Sequence, residues 1–181
     1  MTPGAGGARP EVHLVRIGSV DPAVIEYLSL ALADGLSFGC RIREGTIDPL
    51  PAFDERRGQF RADEILARIA ALEVGDGAKV LGVADVDLFL PVLTFVYGQA
   101  QVRSRAALLS VHRLRQEFYG LPPDEDRFLE RCEKEALHEL GHTFGLVHCS
   151  RWDCLMHFSN SIEEVDLKGR GFCRRCARQL R

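Results

Sequence analysis

Apolar residues recur along this chain with two periods, and the switches between them mark out the elements. Glu11–Ile17 is a β-rich, mostly apolar run that stops at Gly18 and reads as a first strand. Asp21 and Pro22 then open a helix, with a capping aspartate followed by proline at the first helical position. Val24, Ile25, Leu28 and Leu32 follow at helical spacing, and Gly35 closes the element. Ser37–Arg43 reads as a short second strand. Gly45–Gln59 holds two prolines, two glycines and many charges, so it is expected as a surface loop.

Ala62–Leu72 carries Ile65, Leu66, Ile69 and Leu72 on one stripe and predicts a second helix, after which Gly75-Asp76-Gly77 turns the chain. Lys79–Leu88 is mostly apolar, as a strand buried on both faces would be, and is expected at the centre of the sheet. Asp85 and Asp87 read as strand-end residues, and His112, without partner spacing, as structural. Leu93–Gln101 follows Pro91 and contains Gly98, which suits an edge strand. Ala106–Val111 is the last expected strand. Asp124 caps a long helix with Phe128, Leu129, Cys132, Ala136 and Leu140 on its buried stripe, and Asp124, Glu125 and Asp126 suit its dipole. Strand, helix, strand, helix, three strands and a helix point to an α/β fold with a mixed twisted sheet.

Composition changes this picture little. At 181 residues, 46% apolar and 27% charged, the chain predicts one globular domain with a substantial core. Residues 1–10 are expected to be a flexible N-terminus. They lack the cationic start and apolar run of a signal peptide, and the upstream chain is too short for a pro-domain. No stretch approaches the roughly 20 apolar residues that span a bilayer, so a cytoplasmic, monomeric protein is expected. Six cysteines in that setting are thiols or metal ligands rather than disulfides. Cys40 and Cys132 stand alone and read as small buried apolar residues.

The chemistry is concentrated in His138-Glu139-Leu140-Gly141-His142-Thr143-Phe144-Gly145-Leu146-Val147-His148, which reads HExxHxxGxxH. His138 and His142 are four apart, so a helix places both imidazoles on one face, about 6 Å apart. Glu139 sits beside them, where it can hold a proton taken from zinc-bound water. His148 cannot be delivered by a continuous helix, which would carry it roughly 240° around and about 9 Å beyond His142. The helix must stop and reverse, and Gly145 accepts the left-handed conformation that allows this. Three protein ligands leave a fourth position for water, the mark of a catalytic zinc rather than a structural one. Gly141, costly inside a helix, is expected to permit close packing near the metal.

Four cysteines follow as two pairs, Cys149/Cys154 and Cys173/Cys176, with spacers typical of a structural zinc site. The expected cofactors are therefore two zinc ions. Residues 167–181 carry six basic and no acidic side chains, so with −3 on the whole chain residues 1–166 carry −9. A basic tail invites a nucleic-acid reading. The plainer reading is that Lys168, Arg170, Arg174, Arg175 and Arg178 offset the doubly negative four-thiolate zinc, so nucleic acid is not expected as a partner.

HExxHxxGxxH resembles the metzincin zinc peptidases. The residues after it, Cys149, Cys154-Leu155-Met156, Phe158-Ser159-Asn160-Ser161 and Cys173-Arg174-Arg175-Cys176, narrow the resemblance to the archaemetzincin family. It is sharp over residues 138–176 and looser upstream, where Leu81-Gly82-Val83 and Tyr97-Gly98-Gln99-Ala100 agree with it. The resemblance implies an upper α/β subdomain, residues 11–145, carrying the active-site helix. It implies a C-terminal subdomain, residues 146–181, carrying His148, the Met-turn at Met156 and the four-cysteine zinc. It also implies that an edge strand over the cleft, here Phe95, Val96, Tyr97, Gly98 and Gln99, binds a peptide or protein substrate as an added strand. His157 stands where family members commonly carry asparagine and is left without a catalytic role. The expected function is peptide-bond hydrolysis with Glu139 as general base, as an endo- or aminopeptidase. A zinc-stabilised binding module that holds peptide or nucleic acid without cutting it is the alternative, and a hydrolase of non-peptide amides a third reading.

Overall fold

Two layers of buried side chains, drawn from alternate residues of the same strands, organise the fold. In the computed structural model, which describes residues 11–35 and 39–180, the chain runs β1 (Glu11–Ile17), α1 (Pro22–Gly35), β2 (Gly39–Ile47), β3 (Phe53–Asp54), β4 (Gln59–Arg61), α2 (Ala62–Ala70), β5 (Lys79–Ala84), β6 (Leu88–Phe89), β7 (Gly98–Ala100), β8 (Ala106–Ser110), α3 (Glu125–Thr143), α4 (Ile162–Leu167) and α5 (Arg174–Gln179). The expected flexible residues 1–10 and the expected strand start at Ser37 lie outside the described residues.

The main sheet has the order β2-β1-β5-β8-β7, parallel except for β7, which runs antiparallel to β8 at the edge. Val12 and Leu14, Leu81 and Val83, and Ala107 and Leu109 point to one face, beneath α1 and α3. Val15 and Ile17, Val80 and Ala84, and Ala106 and Leu108 point to the other, against Ile65, Leu66 and Ile69 of α2. Burial on both sides is why β5 and β8 read as nearly unbroken apolar runs, while β1 keeps His13 and Arg16 among its apolar residues. The mixed sheet and the central place of β5 match the pattern-based expectation, although the expected strand Lys79–Leu88 ends at Ala84 and only Leu88–Phe89 resumes as β6, in the second sheet. A Cβ on Gly82 would collide with Ile69, so glycine there lets α2 seat directly on β5.

Helix starts follow their signals. Asp21 accepts from the Ala23 N–H at 2.9 Å, and Asp124 from Arg127 at 3.1 Å. Cys132 is fully buried and Cys40 partly so, and burial pushes the Cys40 thiol up to about 11. The two strand-end aspartates hold cations: Asp87 pairs with Arg113 at 2.5 Å, and Asp85 lies 3.5 Å from both His112 and Arg115.

Three expectations need correction. β2 runs on to Ile47, with a register shift opposite Leu14 and Arg16 that accommodates Gly45 at φ +87°. The expected loop 45–59 therefore holds the end of β2, a 3₁₀ turn at Leu50–Ala52 and β3, which joins β4 and β6 in a small second sheet. Second, α2 ends at Ala70, two residues early, with Ala71 as its cap. Third, the expected edge strand 93–101 shrinks to Gly98–Ala100. A turn closes from Leu93 N–H to the Leu90 carbonyl, and Val96 bridges Leu88 instead. Pairing with β8 begins only where the Tyr97 carbonyl accepts from Ser110, at 2.7 Å.

Candidate metal centre and cleft

The last two turns of α3 place His138 and His142 one above the other, with their Nε2 atoms 3.2 Å apart. The far nitrogens are pinned: His138 Nδ1 lies 2.9 Å from the Leu155 carbonyl and His142 Nδ1 2.8 Å from the Leu146 carbonyl. Those carbonyls fix the tautomer, leaving Nε2 bare and facing inward. The helix then stops as the glycine position predicted. Gly145 adopts φ +98°, its N–H reaches the His142 carbonyl, and the Leu146 N–H reaches the Gly141 carbonyl. This pair of bonds is a Schellman cap. It turns the chain back so that the His148 ring lies 4.9 Å from His142 and 5.4 Å from His138, centre to centre.

The three imidazoles offer nitrogens within 4.8 Å of one another. A tetrahedral zinc with bonds of 2.0–2.1 Å separates its nitrogens by about 3.3 Å, close to the 3.2 Å between His138 and His142. Burial lowers the pKa of all three histidines, which keeps them neutral and able to donate a lone pair. The donor set therefore fits zinc.

Met156 is fully buried beneath this centre. A Cβ on Gly141 would lie 2.6 Å from the Met156 sulfur, so the glycine does permit the expected close packing. His157 is not among the residues lining the cleft, and its Nδ1 lies 3.1 Å from the Cys149 carbonyl.

The four cysteines come together: Cys149 and Cys173 sulfurs are 3.9 Å apart, and those of Cys154 and Cys176 3.8 Å. A disulfide would need about 2.05 Å, whereas tetrahedral zinc with bonds near 2.3 Å separates its sulfurs by about 3.8 Å. These residues also fit zinc. Within the cluster the backbone N–H of Cys176 and neighbouring thiols hold the Cys173 thiol down to about 6, while burial raises Cys154 and Cys176, so Cys173 is the thiolate most readily offered to a metal.

The reading of the basic tail is corrected in part. Arg175 does donate to the Cys149 sulfur at 3.4 Å. Lys168 and Arg170 instead reach back to α3, pairing with Glu135 and Glu133. The acidic residues of that helix face are buried by the C-terminal segment and need cations there.

The cleft beside the histidines encloses about 280 Å³. All five residues of the candidate edge segment, Phe95, Val96, Tyr97, Gly98 and Gln99, line it, together with Glu139, although only Gly98 and Gln99 are in β7. Glu139 is almost entirely buried, and desolvation, followed by the nearby Glu135 charge, raises its carboxyl well above the usual range. Phe158, Ser159 and Asn160, quoted from the sequence only for their family likeness, line the cleft too, and so do Leu90, Leu93 and Glu135, which were given no site role. Glu135 alone had a signal, since it lies one helical turn before Glu139.

Comparison with known proteins agrees with this centre. The model of peptidase family M54 matches residues 51–181. The archaemetzincin of Methanocaldococcus jannaschii is 41% identical over 165 residues, covering 91% of this chain and 89% of that one. The archaemetzincin of Pyrococcus abyssi is 46% identical, with 93% of each covered. The crystal structure of the archaemetzincin from Methanopyrus kandleri superposes with a TM-score of 0.80 at 36% identity, over 96% of this chain and 94% of that one.

Proposed function

The chain belongs to peptidase family M54 and is a zinc metallopeptidase of the archaemetzincin kind, and on that premise we propose how its residues divide the work of cutting a peptide. His138, His142 and His148 hold the catalytic zinc; Cys149, Cys154, Cys173 and Cys176 hold a second, structural one. Bound zinc supplies Lewis acidity, which acidifies water to a pKa of about 7 and polarises a carbonyl. Glu139 is the general base. Its carboxylate takes the proton from the attacking water and passes it to the departing amine. Its burial beside His138 and His142 is the observation that carries this role, because a carboxylate withdrawn from water holds a proton more tightly than one in solvent.

Gly98 and Gln99 on β7 receive the substrate backbone as an added antiparallel strand, and the turn through Phe95, Val96 and Tyr97 walls the side chains on one flank. Met156 acts as a packing floor and does not touch substrate. Residues 11–145 form the upper subdomain and 146–181 the lower. A reducing compartment such as the cytoplasm suits the four unbridged thiols. Among the described residues no helix is long and apolar enough to cross a membrane.

The direct test is incubation of the zinc-loaded protein with a mixed peptide library beside Glu139→Ala, with products read by mass spectrometry. Cleavage by the wild type alone supports the reading and shows whether ends are trimmed or internal bonds cut. Equal cleavage by both would remove Glu139 from the mechanism.

A further inference from the structure

Behind the cleft, Lys168 Nζ lies 2.5 Å from Glu135 Oε1, and the lysine side chain is wholly buried while that of Glu135 is 5% exposed. Neither atom has a further hydrogen-bond partner among the described residues. Stability does not explain such a pair. Two charges withdrawn from water recover little net free energy, and an apolar pair of similar volume would serve the fold as well or better.

Its placement is the informative feature. Glu135 lines the cleft one helical turn before Glu139, and Lys168 stands behind it without reaching the cleft. The pair therefore presents its negative end to whatever occupies the cleft. Two other oxygens on residues lining the same space, Gln99 Oε1 and Ser159 Oγ, are buried without partners. A carboxylate and an amide oxygen can only accept, so the unmet demand is for donors. Among the described residues no lysine or arginine lines the cleft to meet it. Leu90, Leu93 and Phe95 make the remaining wall apolar.

An apolar sleeve ending in acceptors matches a group with an aliphatic stem and a cationic, nitrogen-bearing head. We propose that Glu135 is a specificity-determining residue that receives the ammonium or guanidinium of a substrate lysine or arginine close to the cleaved bond, with Lys168 holding the carboxylate in place. The proposal rests on the peptidase reading of the cleft. The same cationic nitrogen could also come from a substrate's free α-amine, so the test separates the two sources.

The zinc-loaded protein is given peptides that differ at one residue flanking the cleaved bond, lysine or norleucine, each with a free or an acetylated N-terminus. Lysine should exceed norleucine at least about tenfold in kcat/KM, as expected when a buried acceptor loses its donor. Persistence of that ratio after acetylation assigns the side chain, whereas equal turnover of lysine and norleucine peptides with a loss in both on acetylation assigns the α-amine and overturns the side-chain proposal. Equal turnover of all four peptides overturns the proposal. Glu135→Leu with Lys168→Met removes both charges together and should invert the ratio, with zinc content measured to confirm an intact centre. A lysine preference surviving in that double variant overturns the role of Glu135.

Binding of the same labelled peptides to Glu139→Ala, read by fluorescence anisotropy, reports selectivity without turnover. Selective binding with no cleavage by the wild type would count against the peptidase reading alone. Cleavage without selectivity would count against the cation site alone.

Discussion

Gly98 of the edge strand lies so close over Glu139 that a Cβ at that position would come within 2.7 Å of both Cγ and Oε1 of the carboxylate. The same Cβ would sit 2.6 Å from the Leu108 carbonyl oxygen, so the strand cannot retreat from the clash without leaving β8. The glycine is thus a condition for strand and base to share the cleft.

Gly98→Ala should retain zinc yet lose about 100-fold in kcat/KM, since displacing a reacting group by about 1 Å costs that much. Metal analysis beside peptide kinetics checks it. Near-normal turnover would show that the carboxylate does not need its observed position.

Glu139→Ala should keep both metals and lower kcat by about 10²–10⁴-fold, the usual contribution of a general base. Zinc stoichiometry together with single-turnover cleavage distinguishes a lost base from a lost metal.

Cys173→Ser should lower the melting temperature more than His148→Ala. Structural zinc contributes about 10 kcal/mol or more of folding free energy, and each 1 kcal/mol is worth about 2–4 °C in a chain of this size. A drop of about 10 °C or more is expected for the cysteine variant and a smaller one for the histidine. Calorimetry giving equal or reversed shifts would argue against a structural site.

Acid lability should depend on Asp85. A hydrogen bond from His112, helped by the Arg115 charge, holds its carboxyl below the usual range against the opposing effect of burial. A depressed folded-state value means that the stabilisation is complete above the unfolded value of about 3.9 and is lost as pH falls through the folded one. Asp85→Asn should therefore be less stable than wild type at pH 6, with the gap narrowing below about pH 4. Urea midpoints across that range measure it, and a constant gap would contradict the assignment.

The centre was legible because its constraints are local. His138, His142, Gly145 and His148 encode a helix, a reversal and a ligand set within eleven positions, and the cysteine spacers do the same for the second cluster. The main strands were legible because burial on both faces leaves nearly continuous apolar runs in β5 and β8 and a mostly apolar, β-branched one in β1. The two-residue strands β3 and β6 are too short for any period to register. Leu93–Tyr97 has strand composition, but its backbone partner is Leu88, a pairing that propensity cannot foresee. Lys168 was set against the thiolates because they were its neighbours in sequence, while its partner Glu135 is 33 positions away on another helix.

His148 and Cys149 are consecutive residues, so the two metal clusters share one peptide bond. Loosening of the four-cysteine cluster would be passed through that bond to the His148 imidazole, so the order of the C-terminal segment and the position of the third histidine rise and fall together.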